Sequence, residues 1–358
     1  MADRPHVIVV GSGIIGASIA WHLARDGARV TIVEAHEPGG IATRHSWAWI
    51  NASWGNPEPY FRLRIRAMAE WKRLAADVPA VRPHWVGGLL YDLPHDDLVS
   101  YATQHTRWGY GIHEVGAIEA AQIEPALKIP PAFAVHVPEE GALEPAAAAQ
   151  ALLADSIRYG AELHRDRVIR LDVTAGQVTG IITARGVLDA DHVVIAAGTA
   201  TGTLAMSVGV DVPMSAPPGL LVATKPLPKL LNGLVMAPDM HVRQLADGRL
   251  LAGTDFGGAN PGDDAEKTAA AVFAGLQIML KGGDAFSFDR YQIGYRPMPG
   301  DGFPIVGAAP GRGGLYLAVT HSGITLAAAL GLFAAAEILR GHRDPLLAPF
   351  GPERFHQA

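Results

Sequence analysis

His6-Val-Ile-Val-Val-Gly-Ser-Gly-Ile-Ile-Gly16 places an apolar run, a glycine turn and a helix start in direct succession. The run ending at Val10 reads as a buried strand. Gly11 suits the tight turn, Gly13 lets the backbone approach a pyrophosphate, and Gly16 lets the following helix pack closely on the strand. That helix is expected from about residue 13 to residue 26. Its unpaired first-turn N–H groups and its dipole favour bound phosphate. A second strand, Arg29-Val-Thr-Ile-Val33, ends at Glu34, whose carboxylate is placed to accept hydrogen bonds from a ribose and disfavours a 2′-phosphate. Motif, strand, helix and terminal acid in register predict an α/β, doubly wound, Rossmann-like dinucleotide-binding domain.

The chain has 358 residues, 49% of them hydrophobic, so it can bury a large core and is long enough for about two domains. Lysine and arginine number 29 against 35 acidic residues, which leaves no basic footprint for nucleic acid or an anionic membrane. The absence of cysteine excludes disulfides, thiolate metal sites, a catalytic thiol and a cysteinyl cofactor link. The apolar N-terminus is broken by the glycine turn and followed by Trp21-His22 without a small-residue cleavage site, so a cytoplasmic chain is expected. Residues 315–339 are strongly apolar, but His321, Ser322, Thr325 and Glu337 lie among them. A strand and a buried helix are expected there, and no transmembrane segment.

The elements interleave along the chain. Residues 39–45 read as a second loop, and residues 59–78 carry Tyr60, Leu63, Met68, Trp71 and Leu74 near helical spacing. A helix opens at Glu144-Pro and ends near Gly160. Short strands follow at residues 168–173, 177–183 and 192–198. From about residue 214 to residue 292 the pattern changes to strand runs such as Leu220-Leu-Val-Ala-Thr224, with a turn at Asp247-Gly248, which suggests an antiparallel sheet walling a substrate pocket. The strand Leu315-Tyr-Leu-Ala-Val319 and a helix over residues 323–340 return to the first domain. The expected division is 1–84, 142–212 and 292–358 for the nucleotide-binding domain, with 85–141 and 213–291 for the substrate domain.

Four separated motifs carry a family resemblance: the opening glycine turn, the strand ending Ile195-Ala-Ala-Gly198, the segment Gly294-Tyr-Arg-Pro-Met-Pro-Gly-Asp-Gly-Phe-Pro-Ile-Val-Gly307, and Thr320-His-Ser-Gly-Ile-Thr-Leu-Ala327. Together they resemble the D-amino-acid oxidase, glycine oxidase and sarcosine oxidase superfamily over essentially the whole chain. The resemblance implies a glutathione-reductase-type FAD domain and oxidation of a C–N bond beside a carboxylate, with hydride transfer to flavin and an imine product. It further implies an amine or amino-acid substrate, oxygen or another electron acceptor, and a homo- or hetero-oligomer. The alternatives are a flavin-carrying subunit of a larger dehydrogenase, a flavin enzyme acting on a 2-hydroxy acid, and nicotinamide or hydroxylation chemistry on the same nucleotide fold.

The resemblance assigns the cofactor surface to Gly11, Gly13, Ile14, Ile15 and Gly16, to Glu34 and Ala35, and to Thr43, Arg44, His45 and Ser46. Val168, Ala197 and Gly198 join them, with Arg296 and Ser322, Gly323, Ile324 and Thr325. The N–H groups of the helix opened by Gly323 would face the flavin pyrimidine, where negative charge develops on reduction. Arg296 of the Arg296-Pro297 pair takes the family's place for the substrate carboxylate, a task suited to its planar donor fork. Glycine oxidases carry a second arginine before the Asn-Gly of the last motif, whereas this chain has His321 before Ser322-Gly323. One firm carboxylate contact and a bulkier or N-substituted substrate follow, with Arg296 and His321 as catalytic residues and Trp47 and Trp49 as walls. His45 lies eleven residues beyond Glu34 and, with Thr43, resembles the dimethylglycine dehydrogenase pattern in which a histidine is bonded to the flavin. The alternative is an imidazole that hydrogen-bonds beside it. The remaining histidines, His22, His192 and His241 among them, show no metal-ligand spacing.

Overall fold

The computed structural model describes residues 4–255 and 257–356. The strand His6–Val10 lies inside a six-stranded sheet in the order Ile305–Ala308, Leu315–Val319, His192–Ile195, His6–Val10, Arg29–Glu34, Glu162–Arg165. Neighbours are parallel except at the edge, where Ile305–Ala308 pairs antiparallel with Leu315–Val319. Both faces of this sheet are covered, which is why its strands are apolar without alternation. Val7, Val9, Val30 and Ile32 pack beneath the helices Ile14–Arg25, Pro145–Arg158 and Gly323–Arg340. Ile8, Val10, Val33 and Val193 face the other way. There an antiparallel sheet of Val168–Thr174, Gln177–Thr183 and Gly186–Asp189, with the short helix Thr201–Met206, contributes Leu171, Ile181 and Leu204.

A second sheet of eight strands runs Phe288–Tyr295, Pro218–Thr224, Leu250–Gly253, Met240–Gln244, Leu234–Ala237, Gly88–Leu90, Phe133–Val137, His113–Gly116. The expected antiparallel texture is present with one departure: Leu234–Ala237 and Gly88–Leu90 are parallel. These two strands come from distant stretches joined through the first sheet, and such a crossover permits parallel pairing. Asp264 caps the helix Ala265–Met279 by accepting from the Lys267 N–H at 3.0 Å. That helix packs Val272 and Leu276 with Leu220, Val222 and Val242 on one face of the sheet. From the opposite face Leu221, Ala223 and Leu251 join the main core, where Trp47 Nε1 donates to the Leu251 carbonyl at 3.2 Å.

Two expectations need adjustment. Residues 39–45 are not wholly a loop, since Ile41–Arg44 forms a single helical turn after Gly40, whose φ of 72° starts it. The helix Gly323–Arg340 has the length and apolarity of a membrane span, yet most of it is buried against Ile14–Arg25 and Glu58–Asp77, as a core helix is.

The crossing of Ile14–Arg25 with Gly323–Arg340 depends on Gly331. A Cβ there would lie 2.2 Å from Ser18 Oγ and 2.7 Å from His22 Nδ1 of the neighbouring helix. Gly331→Val is therefore expected to lower Tm through an overpacking cost of about 1–3 kcal/mol. Calorimetry checks this, and an unchanged Tm would mean that the two helices separate freely.

Candidate active site

The C-terminal edge of the parallel sheet opens into one cavity of about 720 Å³, within the roughly 300–1,000 Å³ usual for cofactor sites. Its nucleotide end is built by the opening motif. Gly11 sits at φ 101°, and a Cβ on it would lie 2.5 Å from the Ala196 carbonyl oxygen. Gly16 is excluded from the cavity wall and serves packing, since its Cβ would fall 2.0 Å from the Gly11 oxygen. Thr43 Oγ1 accepts from the Ile14 N–H at 3.1 Å, which ties the second loop to the helix start. The remaining first-turn N–H groups have no intrahelical partner.

Glu34 is buried and oriented before any ligand arrives. Its Oε2 accepts from the Ser12 N–H at 2.8 Å and the Ser12 hydroxyl at 2.6 Å, and its Oε1 accepts from the His36 N–H at 2.9 Å. A carboxylate has about four acceptor sites, so one remains for a ribose hydroxyl. The glycine cradle, the helix start and this acid fit the diphosphate and ribose of a dinucleotide such as FAD.

The second loop brings His45, Ser46, Trp47 and Trp49 to the same cavity. His45 Nδ1 lies 2.8 Å from the Ile41 carbonyl, which can only accept, so Nδ1 is the donor of that pair. Its Cβ packs on Gly294, where a side chain would approach to 2.6 Å. Trp47 and Trp49 stand edge to face at 6.2 Å. Trp49 Nε1 donates to Glu140 Oε2 at 2.8 Å, and the Tyr110 hydroxyl lies 2.6 Å from Glu140 Oε1. Burial pushes Glu140 up to about 8 despite these bonds and the nearby Arg64 charge, so it is protonated at neutral pH.

The far end is cationic. Arg296 enters the cavity from the end of the strand Phe288–Tyr295, with its Nε buried and lacking any hydrogen-bond partner. His321 precedes the helix Gly323–Arg340. Ser322 Oγ receives Arg64 Nη1 at 2.9 Å and lies 3.1 Å from His321 Nε2. Ser322 Oγ keeps its proton and a second lone pair, so it can donate to Nε2 or accept from it; the donating arrangement puts the ring proton on Nδ1, which is buried and unpartnered. Burial, then the charges of Arg64 and Arg296, push His321 down to about 4. The ring is neutral at working pH.

Most residues expected from the sequence converge here. Gly11, Gly13, Ile14, Ile15, Glu34, Ala35, Thr43, His45, Ser46, Val168, Ala197, Gly198, Arg296 and residues 321–325 all line the cavity, as do Trp47 and Trp49. Arg44 does not, because its guanidinium turns to the Pro38 carbonyl. Packing does not require glycine at Gly323, since a Cβ would make only an ordinary 3.6 Å contact with Ile15. The sequence reading also left one cavity arginine unnamed. Arg64, from the helix Glu58–Asp77, lines the wall beside His321, held by the Asn51 backbone oxygen at 3.0 Å and by Asn51 Oδ1. The sequence carried a signal for it: Tyr60, Leu63, Arg64, Ala67, Met68 and Trp71 form one helical stripe, and a charge within an apolar stripe faces inward.

Comparison with known proteins agrees with this geometry. The profile of the family described as FAD dependent oxidoreductase matches residues 6–337. The chain is 30% identical to a glycine oxidase of Pseudomonas aeruginosa, over 98% of this chain and 99% of that one. It is 26% identical to an opine oxidase subunit of Agrobacterium tumefaciens over 97% of each. Its fold matches the crystal structure of a glycine oxidase from Geobacillus kaustophilus with a TM-score of 0.88 and 25% identity, covering 98% and 99% of the two chains. The chain therefore belongs to the DAO family of FAD-dependent oxidoreductases.

Two outcomes follow. Glu34→Ala removes the oriented ribose acceptor and is expected to weaken FAD retention by about 1–3 kcal/mol, read as flavin lost on dialysis; undiminished retention would show that the ribose is held elsewhere. Glu140 has a folded-state pKa raised above that of the unfolded chain, so the folded protein binds the extra proton. Its contribution is full at pH values below the ordinary carboxylate range and is lost as pH rises through about 8. Denaturation midpoints should thus fall between pH 5 and pH 9 more steeply in wild type than in Glu140→Gln, and equal slopes would contradict the assignment.

Proposed function

We propose that this oxidoreductase oxidises the C–N bond of an amino acid or N-substituted amino acid to an imine. The observation that carries the reading is the half-buried guanidinium of Arg296, which lines the cavity with its Nε buried and unpartnered. It forms no ion pair among the described residues, and a charge partly withdrawn from water is stabilised by a counter-ion. A substrate carboxylate supplies that counter-ion through two parallel hydrogen bonds and fixes the neighbouring carbon. FAD, when bound, accepts the hydride from that carbon. Glu34 and the residues of the glycine turn hold the nucleotide, and the N–H groups at Gly323 and Ile324 are the helix-end donors for the ring system. His321 contributes a neutral ring, and Trp47 and Trp49 exclude water from one wall. The terminal electron acceptor is oxygen or a redox partner.

His45 extends the proposal conditionally. A covalent bond to the flavin needs an unprotonated ring nitrogen, and the bond from Nδ1 to Ile41 leaves Nε2 as that nitrogen. Acid precipitation separates attachment from hydrogen bonding: colour that stays in the pellet and vanishes in His45→Ala supports the bond, and flavin released wholly into the supernatant excludes it. The likeness to an opine oxidase subunit favours, as a second reading, a chain that works within a hetero-oligomer. Turnover by the isolated chain with an artificial acceptor decides against that dependence.

Anaerobic mixing of the flavin-loaded protein with amines, amino acids and 2-hydroxy acids tests the chemistry through bleaching of the flavin. With the best amine found, Arg296→Met should lose about 2–5 kcal/mol of transition-state stabilisation, mostly as a raised KM. Arg296→Lys should recover little of it, because a point charge cannot reproduce the fork. Equal activity in all three proteins would reduce Arg296 to a structural role.

A further inference from the structure

The substrate end of the cavity presents two guanidinium groups, with more uncommitted donors than one carboxylate can accept from. Arg296 forms no ion pair among the described residues, and the chain clears space for it: a Cβ on Gly257 would lie 1.8 Å from Arg296 Nη1 and 3.0 Å from Oδ1 of Asp255, an exposed acid that accepts from the Gly257 N–H. Arg64 is only 5% exposed, and its three hydrogen bonds go to neutral acceptors, the Asn51 carbonyl, Asn51 Oδ1 and Ser322 Oγ. That leaves two of its five N–H donors uncommitted. The acids lining the cavity, Glu34 and Asp166, belong to the nucleotide end, where the Asp166 N–H donates to the Glu34 carbonyl at 3.0 Å. Glu140, the buried acid nearest Arg64 in its electrostatics, forms no ion pair with it and is engaged by Trp49 and Tyr110 instead.

Between the two arginines stands His321. Both guanidinium charges act on it, and its Nδ1 is buried without a partner. The wall therefore offers a row of groups, Arg296, His321 and Arg64, none of them in an ion pair among the described residues. An ordinary amino acid brings one carboxylate, which can pair with only one of the two guanidinium groups. An amino acid with two carboxylates carries a net negative charge and matches both guanidinium groups.

We propose that the substrate is an amino dicarboxylate, a secondary amine or amino acid bearing a second carboxylate, with one carboxylate on Arg296 and the other on Arg64 and His321. This deepens the amine-oxidation reading and rests on it. Arg64 is then a specificity-determining residue, and the neutral ring of His321 a donor between the two anions.

The test uses oxidised, flavin-loaded protein and acids that lack an amine. Acetate and propionate are titrated against malonate and succinate through the flavin visible spectrum. Wild type should bind the better dicarboxylate about tenfold or more tightly than the monocarboxylates, the order expected for one added charge-assisted contact. In Arg64→Met that preference should vanish while monocarboxylate affinity stays. If this variant loses its flavin, the wild-type preference still decides the matter. A substrate arm compares flavin reduction by glycine, sarcosine, N-carboxymethylglycine and aspartate, with an amino dicarboxylate expected to lead in kcat/KM. Equal binding of mono- and dicarboxylates, with amines still bleaching the flavin, overturns the second anchor and leaves amine oxidation standing. Absence of both acid binding and bleaching overturns both. A flavin spectrum or potential altered in Arg64→Met, with the dicarboxylate preference intact, assigns the guanidinium to the flavin and also overturns the proposal.

Discussion

Three backbone segments meet where no side chain fits. Gly11 lies against the Ala196 carbonyl and Gly16 against the Gly11 carbonyl, each closer than any Cβ permits. This contact sets the helix Ile14–Arg25 directly over the end of its strand, so the N-terminal end of the helix and the C-terminal ends of three strands open on the same space. Glu34, at the tip of the adjacent strand, and Ala197, past the tip of the other, reach the cavity only because of that convergence. The loop that carries His45, Trp47 and Trp49 is fixed to it in turn through Thr43.

The electrostatics of the cavity are divided between its ends. At the nucleotide end an acid is satisfied almost completely by Ser12 and His36, so it acts as an oriented acceptor. At the other end two guanidinium groups sit in a wall of neutral partners, and their combined field adds to burial in keeping His321 unprotonated. Trp49 connects this wall to a layer beneath it, since one face borders the cavity and its Nε1 grips Glu140. The charge state of Glu140 thus bears on how firmly one wall is held.

Much of this was legible in the sequence because local geometry dictated it. A glycine turn between an apolar strand and a helix has few alternatives, and Glu34, Thr43 and the motif around Arg296 fell into place by position. The helix over residues 323–340 read correctly because a buried helix needs no alternation. What escaped depends on tertiary approach. Arg64 was hidden in a stripe whose large apolar residues drew attention to packing, and Glu140 lay in a punctuated stretch with no periodicity to show that it would be buried. Arg44 was misassigned because position alone cannot tell which way a long side chain turns, and here a nearby carbonyl captured it. The parallel pair of Gly88–Leu90 with Leu234–Ala237 joins strands too distant in the chain for any local pattern to announce.

The order of strands across the main sheet bears on how the protein is made. The first strand of the chain is an interior one, flanked on one side by residues 29–34 and on the other by residues 192–195, and the next place is filled only by residues 315–319. A chain emerging from the ribosome therefore exposes an apolar ribbon with an open edge until residues 315–319 have been synthesised. The helix Gly323–Arg340, which covers that ribbon and also supplies the donors at one end of the cavity, follows directly, ahead of only the short turns that carry the core residues Leu347 and Phe350. Closure of the core and completion of the active site are consequently the same late event, so a nascent chain cannot hold its cofactor fully before its hydrophobic core is sealed.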